Sequence, residues 1–174
     1  TICYGMTETA PVSAQSSTAD SLEQRVSTVG RVHPHIEIKI VDEQGKVVPR
    51  GKLGELCVRG YSVMLGYWEE EEKTREVVDV AKWMHTGDIA EMDDLGFIKI
   101  KGRIKDVVIR GGENLFPKEI EDFLYKHPDV MDVQVIGLPD RRYGEELCAC
   151  IILHEGHTVT DECIRNYCKE HISH

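Results

Sequence analysis

The residues Tyr4 to Glu8 near the start of the sequence combine side chains that could bind a flat ligand and a metal ion. Gly5 would let the backbone approach such a ligand closely, and Tyr4 offers a ring face beside it. Thr7 supplies a hydroxyl group, and Glu8 supplies the hard oxygen ligand that Mg²⁺ prefers. The alternative is a simple turn between a strand and a loop, which residues of these types also form.

A second group with possible chemistry is Thr86-Gly87-Asp88. The pattern predicts that Gly87 turns the chain and that Asp88 presents its carboxylate at the start of a strand over residues 89–92. A carboxylate accepts two hydrogen bonds at once, which suits the paired hydroxyl groups of a ribose. The alternative is an aspartate that caps a turn.

The third group lies in the stretch from Gly102 to Pro117. Arg103 carries a planar guanidinium that can hold ribose or phosphate oxygens in a bidentate manner. Its alternative is a surface salt bridge with Asp106. The adjacent Gly111 and Gly112 predict a sharp backbone turn. Basic residues and a carboxylate at this strand junction indicate a pivot that carries anion-binding charge.

The elements around these groups change in type along the chain. From Val29 to Lys101 the pattern is that of β-strands, and residues 35–40 alternate between polar and apolar with period two, which predicts a half-buried strand. After that point the pattern is mixed. Pro117 predicts the start of a helix that stops after His127, and strands follow over residues 130–138 and 146–153. The intervening residues 139–145 are charged and read as a solvated loop.

The composition of the 174 residues excludes some classes of function. The sequence has 21 basic and 31 acidic residues and a formal charge of −10, which argues against nucleic-acid binding. No apolar run approaches the roughly 20 residues of a membrane span. The six cysteines include no CxxC pair and no Cys/His grouping with convincing zinc spacing, although His154, His157 and Cys163 stay open as a metal set. Reduced thiols that pack as small apolar residues in a cytosol-like compartment are the favoured interpretation.

Taken together, the motifs resemble those of the adenylate-forming superfamily, which contains acyl-CoA synthetases, luciferases and the adenylation domains of peptide synthetases. Four signatures occur in the family's order, and the sequence looks most like medium- and long-chain fatty acyl-CoA synthetases. The segments that carry the resemblance are residues 4–8, 54–68, 83–88 and 102–117. The resemblance implies an α+β fold. A β-rich, barrel-like end of the large AMP-binding domain would occupy residues 1–104, and a small mixed lid domain residues 105–174.

The resemblance also implies roles for individual residues. Tyr4 and Gly5 would line the adenine side of a nucleotide pocket, Thr7 would contact the α-phosphate, and Glu8 would help to hold Mg²⁺. The remaining roles fall on residues further along: Asp88 and Arg103 would bind the nucleotide, Lys105 would be the hinge, and Gly111 and Gly112 would border the passage for coenzyme A.

The implied reaction has two halves, in which a fatty acid attacks ATP to form an acyl-adenylate and coenzyme A then displaces AMP. Two alternatives remain: an adenylation domain with another acceptor, such as a carrier protein, or a non-catalytic nucleotide-binding or interaction module. The family's phosphate loop would precede Thr1 and its adenylating lysine would follow His174. The sequence is therefore expected to be a fragment that does not catalyse the full reaction alone. The expected location is the cytoplasm, with the mitochondrial matrix as the alternative, and the sequence indicates no oligomeric state.

Overall fold

The fold is known from a computed structural model that describes residues 1–171. The chain divides into two compact units, Thr1–Lys105 and Asp106–His174. The mixed α+β class predicted from the sequence is confirmed. Among the described residues, no helix is long and apolar enough to cross a membrane.

The first unit contains two antiparallel sheets. The smaller sheet has the order β1-β2-β3, and the larger has the order β4-β5-β6-β7. Hydrogen bonds from the amide of Val29 to the carbonyl of Ile98 and from the amide of Ile98 to the carbonyl of Gly30 join the larger sheet to the residues just before the last strand of the smaller one. The strands are β1 (Cys3–Tyr4), β2 (Ala14–Gln15), β3 (Arg31–Val32), β4 (Ile36–Val41), β5 (Gly54–Gly60), β6 (Met84–Met92) and β7 (Ile98–Arg103); the helices are α1 (Leu22–Ser27) and α2 (Glu71–Val77).

The core of the first unit lies on one face of the larger sheet, because apolar side chains alternate along its strands. The buried residues that form it are Ala14, Ile36, Ile40, Leu56, Val58, Ala90 and Ile98. In the centre of β5, Cys57 on the opposite face is also fully buried. This strand is therefore buried on both sides at its middle, as only a central strand can be.

The second unit is a four-stranded antiparallel sheet of order β10-β11-β8-β9, with a helix packed on one face. Its buried core consists of Leu124, Val130, Val133 and Val135. The elements are β8 (Val108–Arg110), β9 (Glu113–Leu115), α3 (Pro117–Leu124), β10 (Val130–Asp140), β11 (Gly144–Leu153) and α4 (Asp161–His171).

Three local predictions need correction here, and a fourth concerns the turn predicted at Gly87. The helix at Pro117 ends at Leu124, before the predicted stop at His127. The segment 139–145 is not a loop, because β10 and β11 extend into it and leave a turn over residues 141–143. Pro139 is tolerated in a strand there because β10 is an edge strand, where a missing backbone donor costs little. Asp88 lies inside β6 rather than at the start of a strand.

The position of Asp88 follows from an irregularity in the pairing of β5 with β6. Cys57 pairs with His85 and Glu55 pairs with Ile89, so three residues of β6 stand opposite Leu56 alone. Gly87 lies in the middle of these three with a φ of 73°, a conformation that favours glycine. The strand therefore continues through Gly87, where the sequence predicted a turn.

Candidate functional site

The carboxylate of Asp88 is the centre of the candidate site in the first unit. Asp88 is 8% exposed and lies directly across from Arg103 in the pairing of β6 with β7. The hydroxyl of Tyr4 donates a hydrogen bond of 2.6 Å to Oδ2, and Nε of Arg103 lies 3.3 Å from Oδ1. The structure thus brings together three of the residues that the sequence singled out.

Thr86 fixes the backbone behind the carboxylate. Its hydroxyl donates to the carbonyl of Leu56 at 2.7 Å and accepts the amide of Asp88 at 3.1 Å. Both bonds are buried, so each one restricts the position of Asp88 in a region that water does not reach. Sequence reasoning missed this role, although a threonine two residues before the aspartate in one strand lies on the same face and signals it.

The hydroxyl of Tyr4 makes a contact that the sequence did not predict. Burial, and next the hydrogen bond to Asp88, raise the pKa of its hydroxyl well above the ordinary value. The hydroxyl therefore stays protonated and donates to the carboxylate over the whole physiological pH range. What holds Tyr4 in place is this bond together with packing against the core.

Packing explains why position 5 is a glycine, in addition to the close approach to a ligand that the sequence predicted. A Cβ atom at this position would lie 1.6 Å from the carbonyl oxygen of Pro11, so no side chain fits without moving the backbone. Thr7 follows in a short 3₁₀ turn, Thr7–Thr9, and is exposed. The 3₁₀ turn thus presents the Thr7 hydroxyl at the surface.

Glu8 is half-buried and held from two sides. Its Oε1 accepts a hydrogen bond of 2.9 Å from the hydroxyl of Tyr67, and its carbonyl accepts the amide of Met64 at 2.8 Å. Burial, and next this hydrogen bond, raise the pKa of Tyr67. Sequence reasoning missed Tyr67, which is 59 residues away along the chain. Because each carboxylate oxygen has two lone pairs, Glu8 retains capacity for a metal ion.

The remaining predicted residues lie at the end of the first unit and in the second. Lys105 is in a 3₁₀ turn, Ile104–Asp106, and is the last residue of the first unit. Gly111 and Gly112 form the two-residue turn between β8 and β9, with φ values of 60° and 89°. Positive φ at both positions is the requirement of a type I′ hairpin turn. The predicted sharp turn is therefore present, at the exposed tip of a short hairpin.

The site is thus the buried carboxylate of Asp88, flanked by the guanidinium of Arg103 and the phenol of Tyr4. Within residues 1–171, Oδ2 of Asp88 accepts a hydrogen bond from Tyr4 and Oδ1 lies beside Arg103, so each oxygen keeps a lone pair for a further donor. The guanidinium of Arg103 is half-exposed and has further N–H groups to offer. Such a site can accept two hydrogen bonds from a vicinal diol while the arginine contacts an adjacent oxygen or phosphate.

Comparison with known proteins places the chain in a family. A model of the AMP-binding enzyme family matches residues 1–68, and a model of the AMP-binding enzyme C-terminal domain matches residues 119–174. The chain is 53% identical over 174 residues to the mitochondrial medium-chain acyl-CoA ligase ACSF2 of Bos taurus. This match covers 99% of the chain and 28% of the bovine protein, so the chain spans less than a third of that relative.

Solved structures agree with this result. ATP-bound MatB from Rhodopseudomonas palustris matches with a TM-score of 0.91 and 34% identity, over 98% of this chain and 34% of MatB. The o-succinylbenzoate coenzyme A synthetase MenE of Bacillus subtilis, in complex with AMP, matches with a TM-score of 0.88 and 32% identity, over 99% of this chain and 34% of MenE. The two family models cover the candidate site residues Tyr4 to Glu8 and most of the second unit. The chain thus belongs to the AMP-binding, adenylate-forming enzyme superfamily.

Proposed function

We propose that the protein works as part of an AMP-forming acid–thiol ligase, an acyl-CoA synthetase that joins a fatty acid to coenzyme A. The names of the similar proteins support this proposal: the bovine relative is a medium-chain acyl-CoA ligase, and MenE is a coenzyme A synthetase. A medium-length fatty acid, ATP and coenzyme A would be the substrates. Residues 1–104 would then be the end of the large nucleotide-binding domain, and residues 105–174 would belong to the small lid domain.

The observation that carries the proposal is the carboxylate of Asp88, buried and oriented by Tyr4 and Arg103. Asp88 would accept hydrogen bonds from the two ribose hydroxyls of ATP and of the acyl-adenylate. Arg103 would bind an adjacent ribose or phosphate oxygen. Preorganised groups of this kind orient the reacting phosphate without further rearrangement, which is the main contribution a protein makes to phosphoryl-group chemistry.

Glu8 fits the Mg²⁺ that this reaction class requires. Mg²⁺ is usually held by one or two carboxylates together with substrate phosphates, and Glu8 offers such a carboxylate, which Tyr67 orients. When bound, the metal would neutralise the negative charge of the phosphates. Thr7, in the turn beside Glu8, would donate its hydroxyl to the α-phosphate.

The second half of the reaction would use the second unit. Lys105, the last residue of the first compact unit, would be the position where a few backbone torsions change between the half-reactions. The turn at Gly111 and Gly112 has no side chain, which would leave room for the narrow pantetheine arm of coenzyme A. The location named for the bovine relative favours the mitochondrial matrix over the cytoplasm, and fractionation with a tagged protein would test this.

Calorimetric titration with AMP tests the nucleotide site. Asp88→Asn keeps the size of the side chain and removes its charge, and we expect it to weaken AMP binding by about 10- to 100-fold, because hydrogen bonds to charged groups contribute about 1.5–3 kcal/mol. Arg103→Ala is expected to weaken binding by about tenfold.

The matched control is another cross-strand ion pair on the same sheet. Glu37 and Arg59 are direct partners across β4 and β5, with 2.7 Å between Oε2 and Nη2. Glu37→Gln and Arg59→Ala should leave AMP affinity unchanged. Unchanged affinity in Asp88→Asn, or an equal loss in the Glu37–Arg59 variants, would contradict the proposed nucleotide site.

A further inference from the structure

A cysteine, a histidine and a glutamate meet on the face of the larger sheet opposite to its apolar core. Cys57 on β5 is the direct cross-strand partner of His85 on β6, and Glu55 lies two residues before Cys57 on the same face. Sγ of Cys57 is 3.6 Å from Nδ1 of His85, and Nδ1 is 2.7 Å from Oε2 of Glu55. The three donor atoms all lie within 4.8 Å of one another.

One separation between the donor atoms matches a tetrahedral metal centre, and a second needs only a small change. In zinc sites Zn–S is about 2.3 Å and Zn–N about 2.0–2.1 Å, which separates sulfur and nitrogen by about 3.5 Å at the tetrahedral angle. The separation of 3.6 Å between Cys57 and His85 already meets this value. The carboxylate oxygen of Glu55 would need to move from His85 by only about 0.6 Å to reach the corresponding N–O separation.

The surroundings supply the support that metal ligands need. The other carboxylate oxygen of Glu55 accepts the amide of Gly87 at 3.1 Å, which fixes the direction of the carboxylate. Cys57 is fully buried, whereas the side chains of His85 and Glu55 are 30% and 20% exposed. An ion would therefore enter from the side of His85 and could keep a water molecule as its fourth ligand.

Charge and ligand type favour a borderline divalent cation. A thiolate and a carboxylate together carry two negative charges, which balance one divalent ion. Thiolate and imidazole ligands suit zinc and its neighbours in the first transition series, whereas Mg²⁺ and Ca²⁺ prefer oxygen ligands alone. The cross-strand partner of Cys57 on β4 is a cation, Lys39. Its ammonium group lies over the ring of Trp83, 4.5 Å from the ring centroid.

We propose that Glu55, Cys57 and His85 form a binding site for Zn²⁺ or a similar divalent cation. The site is distinct from the Mg²⁺ position proposed at Glu8, and it does not depend on the proposed ligase function. It adds a structural ion between two central strands, next to Gly87 and therefore next to the strand segment that carries Asp88. The competing interpretation is an ion pair between His85 and Glu55 that packs against an ordinary buried thiol.

Cobalt substitution tests the site. Co²⁺ is titrated into the reduced protein after treatment with a chelator, and the absorption of the thiolate-to-cobalt charge transfer is recorded. We expect one equivalent of Co²⁺ to produce the band and one equivalent of Zn²⁺ to displace it. Cys57→Ser should abolish the band, and His85→Gln should weaken Zn²⁺ binding by at least about 100-fold, because removing a direct ligand costs more than the 10- to 100-fold loss seen for outer-shell residues.

The matched control is Cys150→Ser, which removes an exposed cysteine from the second unit and should keep both the band and the affinity. Circular dichroism checks that each variant is folded. If Cys57→Ser does not fold, His85→Gln and the isosteric Glu55→Gln decide the question, since both side chains are partly exposed. A missing band in the unmodified protein, a band that persists in Cys57→Ser, or unchanged Zn²⁺ affinity in both His85→Gln and Glu55→Gln would overturn the proposal.

Discussion

The central strand of the first unit and the long edge strand of the second show two ways in which a sheet is held. In β5, three consecutive residues, Leu56, Cys57 and Val58, are fully buried. In β10, buried Val133 and Val135 alternate with exposed Gln134 and Ile136. A strand covered on both faces has little freedom to move, whereas a strand covered on one face relies on the helix beside it. Asp88 lies on β6, which adjoins this doubly buried strand, and Glu55 and Cys57 of the proposed metal site lie on the doubly buried strand itself.

Thiol alkylation gives the largest expected contrast between these strands. Burial, and next the negative charge of Glu55, raise the pKa of Cys57 from its ordinary value to about 12. At pH 8 this leaves about 10³-fold less thiolate than in an unshifted cysteine. We expect iodoacetamide to modify Cys57 at least about a thousandfold more slowly than exposed Cys150, because burial blocks access to the sulfur as well as suppressing the thiolate. Peptide mapping by mass spectrometry in the presence of a chelator measures both rates.

The alkylation experiment has a built-in control, because both cysteines should react at similar rates in denaturant. A difference of less than tenfold in the folded protein would show that the outer face of β5 opens readily.

Truncation of a core leucine is expected to have the next largest effect. Leu56→Ala should cost about 3–5 kcal/mol in the free energy of unfolding, since a side chain packed in the middle of a central strand leaves a cavity that cannot collapse. Leu124→Ala in the second unit should cost less, about 2–3 kcal/mol, because the helix over the one-sided core can shift toward the gap.

Hydrogen exchange monitored by mass spectrometry assigns each loss to its unit. Leu56→Ala should raise exchange in β4 to β7, and Leu124→Ala should raise it in α3 and β10. Equal losses for the two variants would remove the distinction between a two-sided and a one-sided strand.

Two glycines, one in β5 and one in β10, extend the comparison of the two strands, with smaller expected losses in the free energy of unfolding. A Cβ atom at Gly54 would lie 2.3 Å from the carbonyl oxygen of Val41, whereas one at Gly137 would meet the side chain of Val108 at 3.0 Å. The backbone of Val41 is paired in the sheet and cannot move away from an added methyl group, whereas the side chain of Val108 can rotate to make room for one. Gly54→Ala should therefore cost about 1–3 kcal/mol and Gly137→Ala less than about 1 kcal/mol, as measured by denaturant unfolding. The reverse order would contradict this account.

The smallest expected effect concerns the polar contact between α3 and β10. Oε1 of Glu121 accepts hydrogen bonds from Nε2 of Gln134 at 2.8 Å and from the amide of Val135 at 2.9 Å. Glu121→Ala should cost about 1–2 kcal/mol in unfolding free energy, because a partly buried amide loses its acceptor. Glu121→Gln keeps an acceptor and should cost less than half as much. Identical losses in the two variants would show that packing of the longer side chain, rather than the hydrogen bond, is the source of the effect.

The sequence predicted the parts of the fold that depend on local chemistry. Alternation along residues 35–40 predicted the strand that the structure has at Ile36–Val41, and Pro117 predicted the start of α3. The turn at Gly111 and Gly112 was predicted because positive φ needs glycine. Local chemistry misled at Gly87 and Pro139, since a glycine or a proline inside a strand looks like a break until the bulge or the free edge that accepts it is known.

Contacts between distant residues were beyond the sequence. The resemblance implied that Asp88 and Arg103 bind the same nucleotide, but their direct cross-strand pairing depends on a register shift between β6 and β7. Cys57 and His85 are 28 residues apart, a spacing that no short metal motif contains, and they meet because two strands pair antiparallel. Sequence spacing reveals ligands within one element, whereas ligands on neighbouring strands become visible only once the register is known.

The irregularity in β6 also limits how this region can change during evolution. Residues 86–88 of β6 stand opposite Leu56 alone, so β6 has two more residues than β5 at this point. Because two extra residues do not change which face the following side chains point to, Asp88 and His85 stay on opposite sides of the sheet. Deletion of one residue between them would turn one of the two side chains toward the wrong face. Homologous genes should therefore gain or lose codons here in pairs or not at all.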